Sequence, residues 1–200
     1  MKRPASKRNP REDHYSRRAK KERFPARSVY KLQEIQKKHR LIKKGDRVLD
    51  LGCSPGSWLL FAATLTGDRG RVIGIDIKPV SVRVPAHVAT HAGDVLDMDA
   101  GLLESIGKNV DVVLSDMAPA TTGNKNVDNT RSFNLCRAAL SVALDVLKPG
   151  GSFVCKIFQG EDFKEFSDSV KAGFKTHKIF KPDSSRKASR EIYIIGIGKV

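Results

Sequence analysis

The stretch "FVCKIFQG" (153–160) sets a lysine inside an apolar run. Phe153, Val154 and Cys155 precede Lys156, and Ile157 and Phe158 follow it. The run reads as a strand buried on both faces, where side chains are near-continuously apolar. Lysine is almost never fully buried without a partner, so acids are expected close by. Asp116 closes "VDVVLSD" and Glu191 opens the last predicted strand. A lysine between two carboxylates is either a buried ion-pair cluster or a device for moving one proton, and residue types alone leave both readings open. Lys31, in a basic helical segment, reads by itself as a solvated lysine.

A second constellation surrounds "LDLGCSPGSW" (49–58), the turn after the first predicted strand. Gly52-Cys53-Ser54-Pro55-Gly56 matches the G-x-S-x-G of serine hydrolases. That reading needs an oxyanion-hole N–H on the residue after the serine, and Pro55 has none. A dinucleotide site needs G-x-G-x-x-G, but these glycines are spaced G-x-x-x-G. The third reading is a nucleoside cofactor without a pyrophosphate. Gly52 and Gly56 let backbone approach a ligand closely, and Asp50 can organise the loop near an ammonium group. Asp76 ends "VIGIDI", where an acid can accept hydrogen bonds from two ribose hydroxyls. Asp94, in "AGDV", can pair with an adenine amino group. Each acid could instead be a turn residue; three at successive strand ends resemble the Rossmann-like methyltransferases that use S-adenosylmethionine.

These residues need elements that bring them together. Strands are predicted at 47–52, 71–77, 87–93, 110–116, 151–158, 175–181 and 190–198. Helices are predicted at 57–66, 99–106, 131–147 and 162–172, with an amphipathic helix within 26–42 that carries Val29, Leu32 and Ile35. Strand–helix alternation implies an open, mostly parallel α/β sheet covered on both faces. About eight residues, "PDSSRKAS", join the last two strands. A parallel crossover needs a dozen or more, so the final strand is expected to run antiparallel. Its start, at Glu191, then lies at the carboxyl edge of the other strands, where open α/β sheets bind ligands.

Two hundred residues suit one domain. Net charge is +15, unevenly spread: residues 1–47 hold 18 Lys/Arg and 5 Asp/Glu, a surplus of 13, whereas residues 48–200 hold 19 and 17, a surplus of 2. The expected organisation is a basic arm (1–26), too polar to form a core, joined to a single domain (27–200). Such an arm can neutralise phosphates, which points to a polyanionic partner. No apolar run is long enough to span a membrane, and no leader resembles a secretory signal. Cys53, Cys136 and Cys155 form no C-x-x-C and suggest a reducing, cytoplasmic setting. His87 and His91 lack ligand-pattern neighbours, so no metal is expected.

Five blocks in order, "SVYKL" (28–32), "DLGCSPGSW" (50–58), "LSDMAP" (114–119), "KIFQG" (156–160) and "KPDSSRKASREIY" (181–193), closely resemble the FtsJ/RrmJ family of RNA ribose 2'-O-methyltransferases. The resemblance runs from about Arg27 to the C-terminus. It implies a class I S-adenosylmethionine methyltransferase fold, with a seven-stranded, mostly parallel sheet whose last strand is antiparallel. The family's Lys-Asp-Lys-Glu tetrad falls on Lys31, Asp116, Lys156 and Glu191, and its cofactor contacts on Gly56, Trp58, Asp76, Asp94 and Asp116. The bacterial ribosomal-RNA enzymes typically have Gly-Trp where this chain has Ser57-Trp58. Implied further are S-adenosylmethionine as methyl donor and a uridine in large-subunit ribosomal RNA as acceptor, with the transfer-RNA anticodon loop as the alternative. A non-catalytic ribosome-assembly factor is the reading from a different class, and the intact tetrad argues against it. The protein is expected to act as a monomer, with Lys156 taking the hydroxyl proton if it is neutral, or steering the hydroxyl and stabilising the developing alkoxide if it stays protonated. The arm and first helix are expected to grip phosphates, with Phe24 and Tyr30 either stacking on a base or packing.

Overall fold

The computed structural model describes residues 10–119, 122–186 and 188–200. Helices α1 (Pro10–Lys21) and α2 (Val29–His39) come first, then β1 (Arg47–Leu51), α3 (Ser57–Thr66), β2 (Arg71–Asp76), β3 (Val88–Ala92), α4 (Ala100–Ile106), β4 (Val110–Ser115), α5 (Lys125–Val146), β5 (Leu147–Phe158), α6 (Phe163–Gly173), β6 (Phe174–Phe180) and β7 (Glu191–Lys199). The seven strands form one sheet in the order β3-β2-β1-β4-β5-β7-β6. Neighbours from β3 to β5 pair parallel. β7 slots between β5 and β6 and runs antiparallel to both, as its short connection predicts. The order reverses between β1 and β4, and the crevice beyond the carboxyl ends there is where such sheets take ligands. Among the described residues no helix is long and apolar enough to cross a membrane.

Strand alternation sorts side chains onto two faces. Leu49, Leu51, Val113, Phe153, Cys155, Ile192 and Ile194 share a core with Ile106 of α4, with α5 and with Phe166 of α6. Val48, Val112, Leu114, Val154, Tyr193 and Ile195 share the other with Leu32 and Ile35 of α2 and with Trp58, Leu59 and Ala62 of α3. By the same count of two, Asp50, Asp116, Lys156 and Glu191 belong to the α2/α3 side. A local pattern thus puts the tetrad's sheet members on one face before any tertiary contact is considered.

Several boundaries moved, each for a physical reason. α2 ends at His39, not 42. Arg40 turns left-handed (φ 50°), and the Gln36 amide closes the end by donating to Ile42 O at 2.7 Å and accepting from Ile42 N at 3.0 Å. α5 begins at Lys125, six residues before the expected 131. Its polar first turns carry no apolar stripe. Asp128 there accepts from Thr122 N at 2.8 Å and from Gly123 N at 3.3 Å, a carboxylate well suited to a helix N-terminus. β5 starts at Leu147 rather than 151, with a register irregularity against β4 between Val110 and Val112.

Part of the basic arm is helical. Residues 1–9 lie outside the described residues, but 10–21 form α1 and contribute to a small core of their own. Ala19, Val29 and Tyr30 are buried there, with Tyr15, Phe24 and Phe61 packed around them. The Arg18 guanidinium lies 4.5 Å from the Tyr30 ring centre, and that of Arg27 5.2 Å from the Tyr15 ring centre. In both pairs the guanidinium itself lies over the aromatic face, a cation–π contact. Phe24 and Tyr30 are therefore packing residues. Tyr30 also donates to Glu22 at 3.1 Å, and burial together with that bond raises its pKa to about 12.

Candidate active site

Lys156 is buried, 6 % exposed, and its partners are those the sequence called for. Its Nζ donates to the backbone carbonyl of Asp116 at 2.7 Å. It lies 3.2 Å from Asp116 Oδ1 and 3.9 Å from Glu191 Oε1. Lys31 reaches in from α2, with its Nζ 3.2 Å from Glu191 Oε2 and 3.8 Å from Asp116 Oδ1. Two lysines and two acids thus alternate around one point. Each charge meets an opposite charge, which keeps the desolvation of all four tolerable.

Tyr193 completes the cluster. It follows Glu191 by two on β7 and so shares its face. Its hydroxyl donates to Asp116 Oδ1 at 2.6 Å, and burial, then the Asp116 charge, pushes its pKa far up. Asp116 is held by a neutral phenol as well as by the lysines. Sequence reasoning passed over Tyr193, although the spacing E-I-Y on a strand was the available signal.

A cleft of about 570 Å³ opens beyond the carboxyl ends of β1, β2, β3 and β4. Gly52, Asp76, Asp94 and Asp116 lie on its wall, together with Met117 and Asn134. Gly52 has φ +77°, and a Cβ there would stand 2.3 Å from Met117 Cγ, so only glycine fits. The Asp76 carboxylate is aimed by two backbone donors, Ser54 N at 2.9 Å and Lys78 N at 2.8 Å. Ile77 and Leu96 stand 68 % and 56 % exposed beside Asp76 and Asp94, on the cleft wall. Exposed apolar side chains flanking acids suit a flat aromatic base joined to a sugar. Sequence reasoning named the acids and missed these two.

Gly56 and Trp58 are not on the wall of this cleft, although Gly56 directly follows Pro55, which is. Gly56, at φ +112°, precedes α3, and a Cβ there would meet Val82 Cγ2 at 2.8 Å. Trp58 is buried, donates from Nε1 to Ser28 O at 2.9 Å, and stacks on Tyr193 with centroids 5.8 Å apart. It ties the start of α2, and hence Lys31, to the tyrosine that holds Asp116. Ser57 is also buried; its Oγ accepts from Ala26 N at 2.8 Å and donates to Ala26 O at 3.1 Å. Asp50 lies under the cleft, 1 % exposed, with Oδ2 unpartnered. Burial first, then the charges of Asp116 and Asp76, raises its pKa to about 8.

A second cavity, about 460 Å³, lies on the other side of the tetrad. Lys31 and Glu191 are on its wall, with Arg27, Ser184, Arg186 and Ser189. Asp116 faces one cavity and Lys31 and Glu191 the other, so the ion-paired cluster bridges the two.

Residues 24–199 match the family model described as FtsJ-like methyltransferase. The chain belongs to the FtsJ-like methyltransferase family. This methyltransferase is 59 % identical over 193 residues to the ribosomal RNA large subunit methyltransferase E of Desulforapulum autotrophicum, covering 96 % of this chain and 95 % of the relative. It is 55 % identical over 199 residues to the protein of the same name in Desulfosudis oleivorans, covering 100 % and 96 %. Among solved structures, a ribosomal RNA methyltransferase of Plasmodium falciparum superposes with a TM-score of 0.78 at 28 % identity, covering 88 % of this chain and 98 % of that one. Fibrillarin of Aeropyrum pernix, solved with S-adenosyl-L-methionine bound, shares the fold at a TM-score of 0.60 and 20 % identity, covering 78 % and 68 %. The methyltransferase's larger cleft fits that donor's chemistry. Asp76 and Asp94 offer acceptors for hydroxyl and amino groups, Ile77 and Leu96 apolar surface for a base, and the acids together a favourable field for a sulfonium.

Proposed function

We propose that the protein transfers a methyl group from S-adenosylmethionine to the ribose 2'-oxygen of a uridine in large-subunit ribosomal RNA. The observation that carries this reading is Lys156, buried and held by Asp116, which lines one cavity, and by Glu191, which lines the other. The relatives named as large-subunit ribosomal RNA methyltransferases support the choice of RNA.

When bound, S-adenosylmethionine supplies a methyl group already made electrophilic by its sulfonium. The chain's own task is to align an oxygen and manage one proton, and alignment accounts for most of the rate gain. In the larger cleft Asp76 would accept from the donor's sugar hydroxyls, and Asp94, Ile77 and Leu96 would hold its base. The acceptor ribose approaches from the second cavity. Lys156 Nζ, once it has released its own proton to solvent, takes the hydroxyl proton as the oxygen bonds to the methyl carbon and the methyl–sulfur bond breaks, its electron pair staying on the sulfur. The ammonium so formed is met by Asp116 Oδ1 and Glu191 Oε1, and the Asp116 carbonyl fixes the nitrogen's direction. Lys31 balances the two acids from the opposite side. General-base assistance of this kind is worth roughly 10²–10⁴-fold.

The test uses purified protein, labelled donor and ribosomal RNA or large subunits from cells lacking the gene. Nucleoside mass spectrometry should find 2'-O-methyluridine in the large-subunit RNA. Lys156→Ala should lower transfer at least about a hundredfold and leave donor affinity unchanged. Methylation of a base, exclusive methylation of transfer RNA, or near-normal turnover in Lys156→Ala would each overturn the reading.

A further inference from the structure

The backbone carbonyl of Lys156 has no strand to bond to. On β5 Lys156 stands opposite Tyr193 of β7, and just past the strand's end Gln159 N donates to Arg190 O at 2.9 Å in the same register. Along an antiparallel pair, positions that bond to the partner alternate with positions that do not. Lys156 lies an odd number of residues from Gln159, so it turns its N–H and C=O away from β7 and toward β4. β4 has ended there. Its ladder with β5 closes at Ser115 and Cys155, and Asp116 leaves the sheet. The carbonyl thus points past the end of its neighbour, and a buried acceptor there needs a donor from elsewhere.

Sulfur supplies it. Cys136 of α5 donates from Sγ to Lys156 O at 3.1 Å, and Cys155 donates to the same oxygen at 3.4 Å. Both thiols are buried in the core that holds Phe153 and Phe166. Burial first, then the bond to Cys136, raises the Cys155 pKa well above the ordinary value, so that thiol keeps its proton. A thiol is apolar enough for such a core and still has a proton to give.

Lys156 is therefore fastened at both ends in the gap where β4 and β5 part. Its Nζ donates to the Asp116 carbonyl, and its own carbonyl accepts from Cys136. Cys136 directly follows Asn134 and Leu135, which line the larger cleft with Arg131, one turn earlier on the same helix. One helix carries both a wall of that cleft and the thiol that holds the lysine's backbone.

We propose that Cys136 is a positioning residue for methyl transfer: its thiol fixes the Lys156 peptide against the α5 wall of the larger cleft, and so sets where Nζ meets the acceptor hydroxyl. This rests on the reading of Lys156 given above.

The experiment measures single-turnover methylation of large-subunit RNA from cells lacking the gene, at saturating donor and RNA, with donor affinity and KM for RNA measured separately. Cys136→Val keeps an apolar side chain of similar volume and removes the donor. Its transfer rate should fall about tenfold, with donor affinity and KM within about twofold of wild type. Cys136→Ser returns a donor to the same place and should recover most of the rate. The Lys156 carbonyl-carbon resonance should move upfield in Cys136→Val, as a lost hydrogen bond requires, and return in Cys136→Ser. Cys155→Val removes only the longer contact and should slow transfer less. If Cys136→Val does not fold, Cys136→Ala replaces it, with the same expected loss and the same rescue by serine. Wild-type transfer in the valine variant, or a serine variant as slow as the valine one, shows that the thiol only fills space and refutes the proposal. A loss confined to KM or donor affinity refutes it too. If the wild type methylates no RNA ribose, or Lys156→Ala keeps near-normal turnover, the functional reading has failed and takes this inference with it.

Discussion

Asp50→Asn should stabilise the protein without donor, and by more as pH rises. Asp50 lies on β1 with 1 % exposure and one unpartnered carboxyl oxygen. Burial, then Asp116 and Asp76, lifts its pKa to about 8. In the unfolded chain it ionises near the ordinary value of about 3.9. Between those values the unfolded chain binds fewer protons than the folded one, so stability falls as pH rises. The favourable contribution is complete below about pH 4 and is gone above about pH 8. The slope between is at most about 1.4 kcal/mol per pH unit. From pH 5 to pH 8 the wild type should therefore lose up to roughly 4 kcal/mol relative to Asp50→Asn. Urea unfolding followed by fluorescence of Trp58, the chain's one tryptophan, measures this. Subtracting one protein from the other cancels the titrating groups that do not interact with Asp50. A constant difference across that pH range would refute the claim that a neutral carboxyl lies under the cleft.

Tyr193→Phe removes the 2.6 Å bond to Asp116 and should slow single-turnover transfer about tenfold, with donor affinity within about twofold. Gly52→Ala forces a Cβ to 2.3 Å from Met117 Cγ at a positive φ, so calorimetric donor affinity should fall by about tenfold or more, and Met117→Ala in the same chain should restore part of it. Glu34→Ala leaves the Asp183 and Ser184 amides without their acceptor, a loss of about 1–3 kcal/mol. Hydrogen exchange at those two amides should quicken, and Glu34→Gln should slow it again.

Much of the site was legible because strands impose a period of two. Counting from Lys156 to Val154, from Asp116 to Leu114 and from Glu191 to Tyr193 assigns three tetrad members to one face. The antiparallel β7 followed from the length of one connection. Illegible parts depend on contacts between distant segments. α1 has no apolar stripe, and its docking rests on Ala19 and Tyr15 meeting Val29, Tyr30 and Phe61. Trp58 was readable as an aromatic at a helix start, but its facing Tyr193 and Ser28 rather than the cleft is a tertiary fact. The second cavity joins Arg27 to Ser184, 157 positions apart, and no local pattern announces it.

The contact between Lys31 and Glu191 closes a ring across 160 residues, and β7 enters the sheet between two strands already made. Most of the donor cleft comes from β1 to β4 and their turns, all before residue 120, with Asn134 of α5 following. The proton-handling end draws on Glu191 and Tyr193 of β7, the last strand in chain order. The two halves of the site are thus supplied by different stretches of chain, and the ring closes only with β7 lying between β5 and β6.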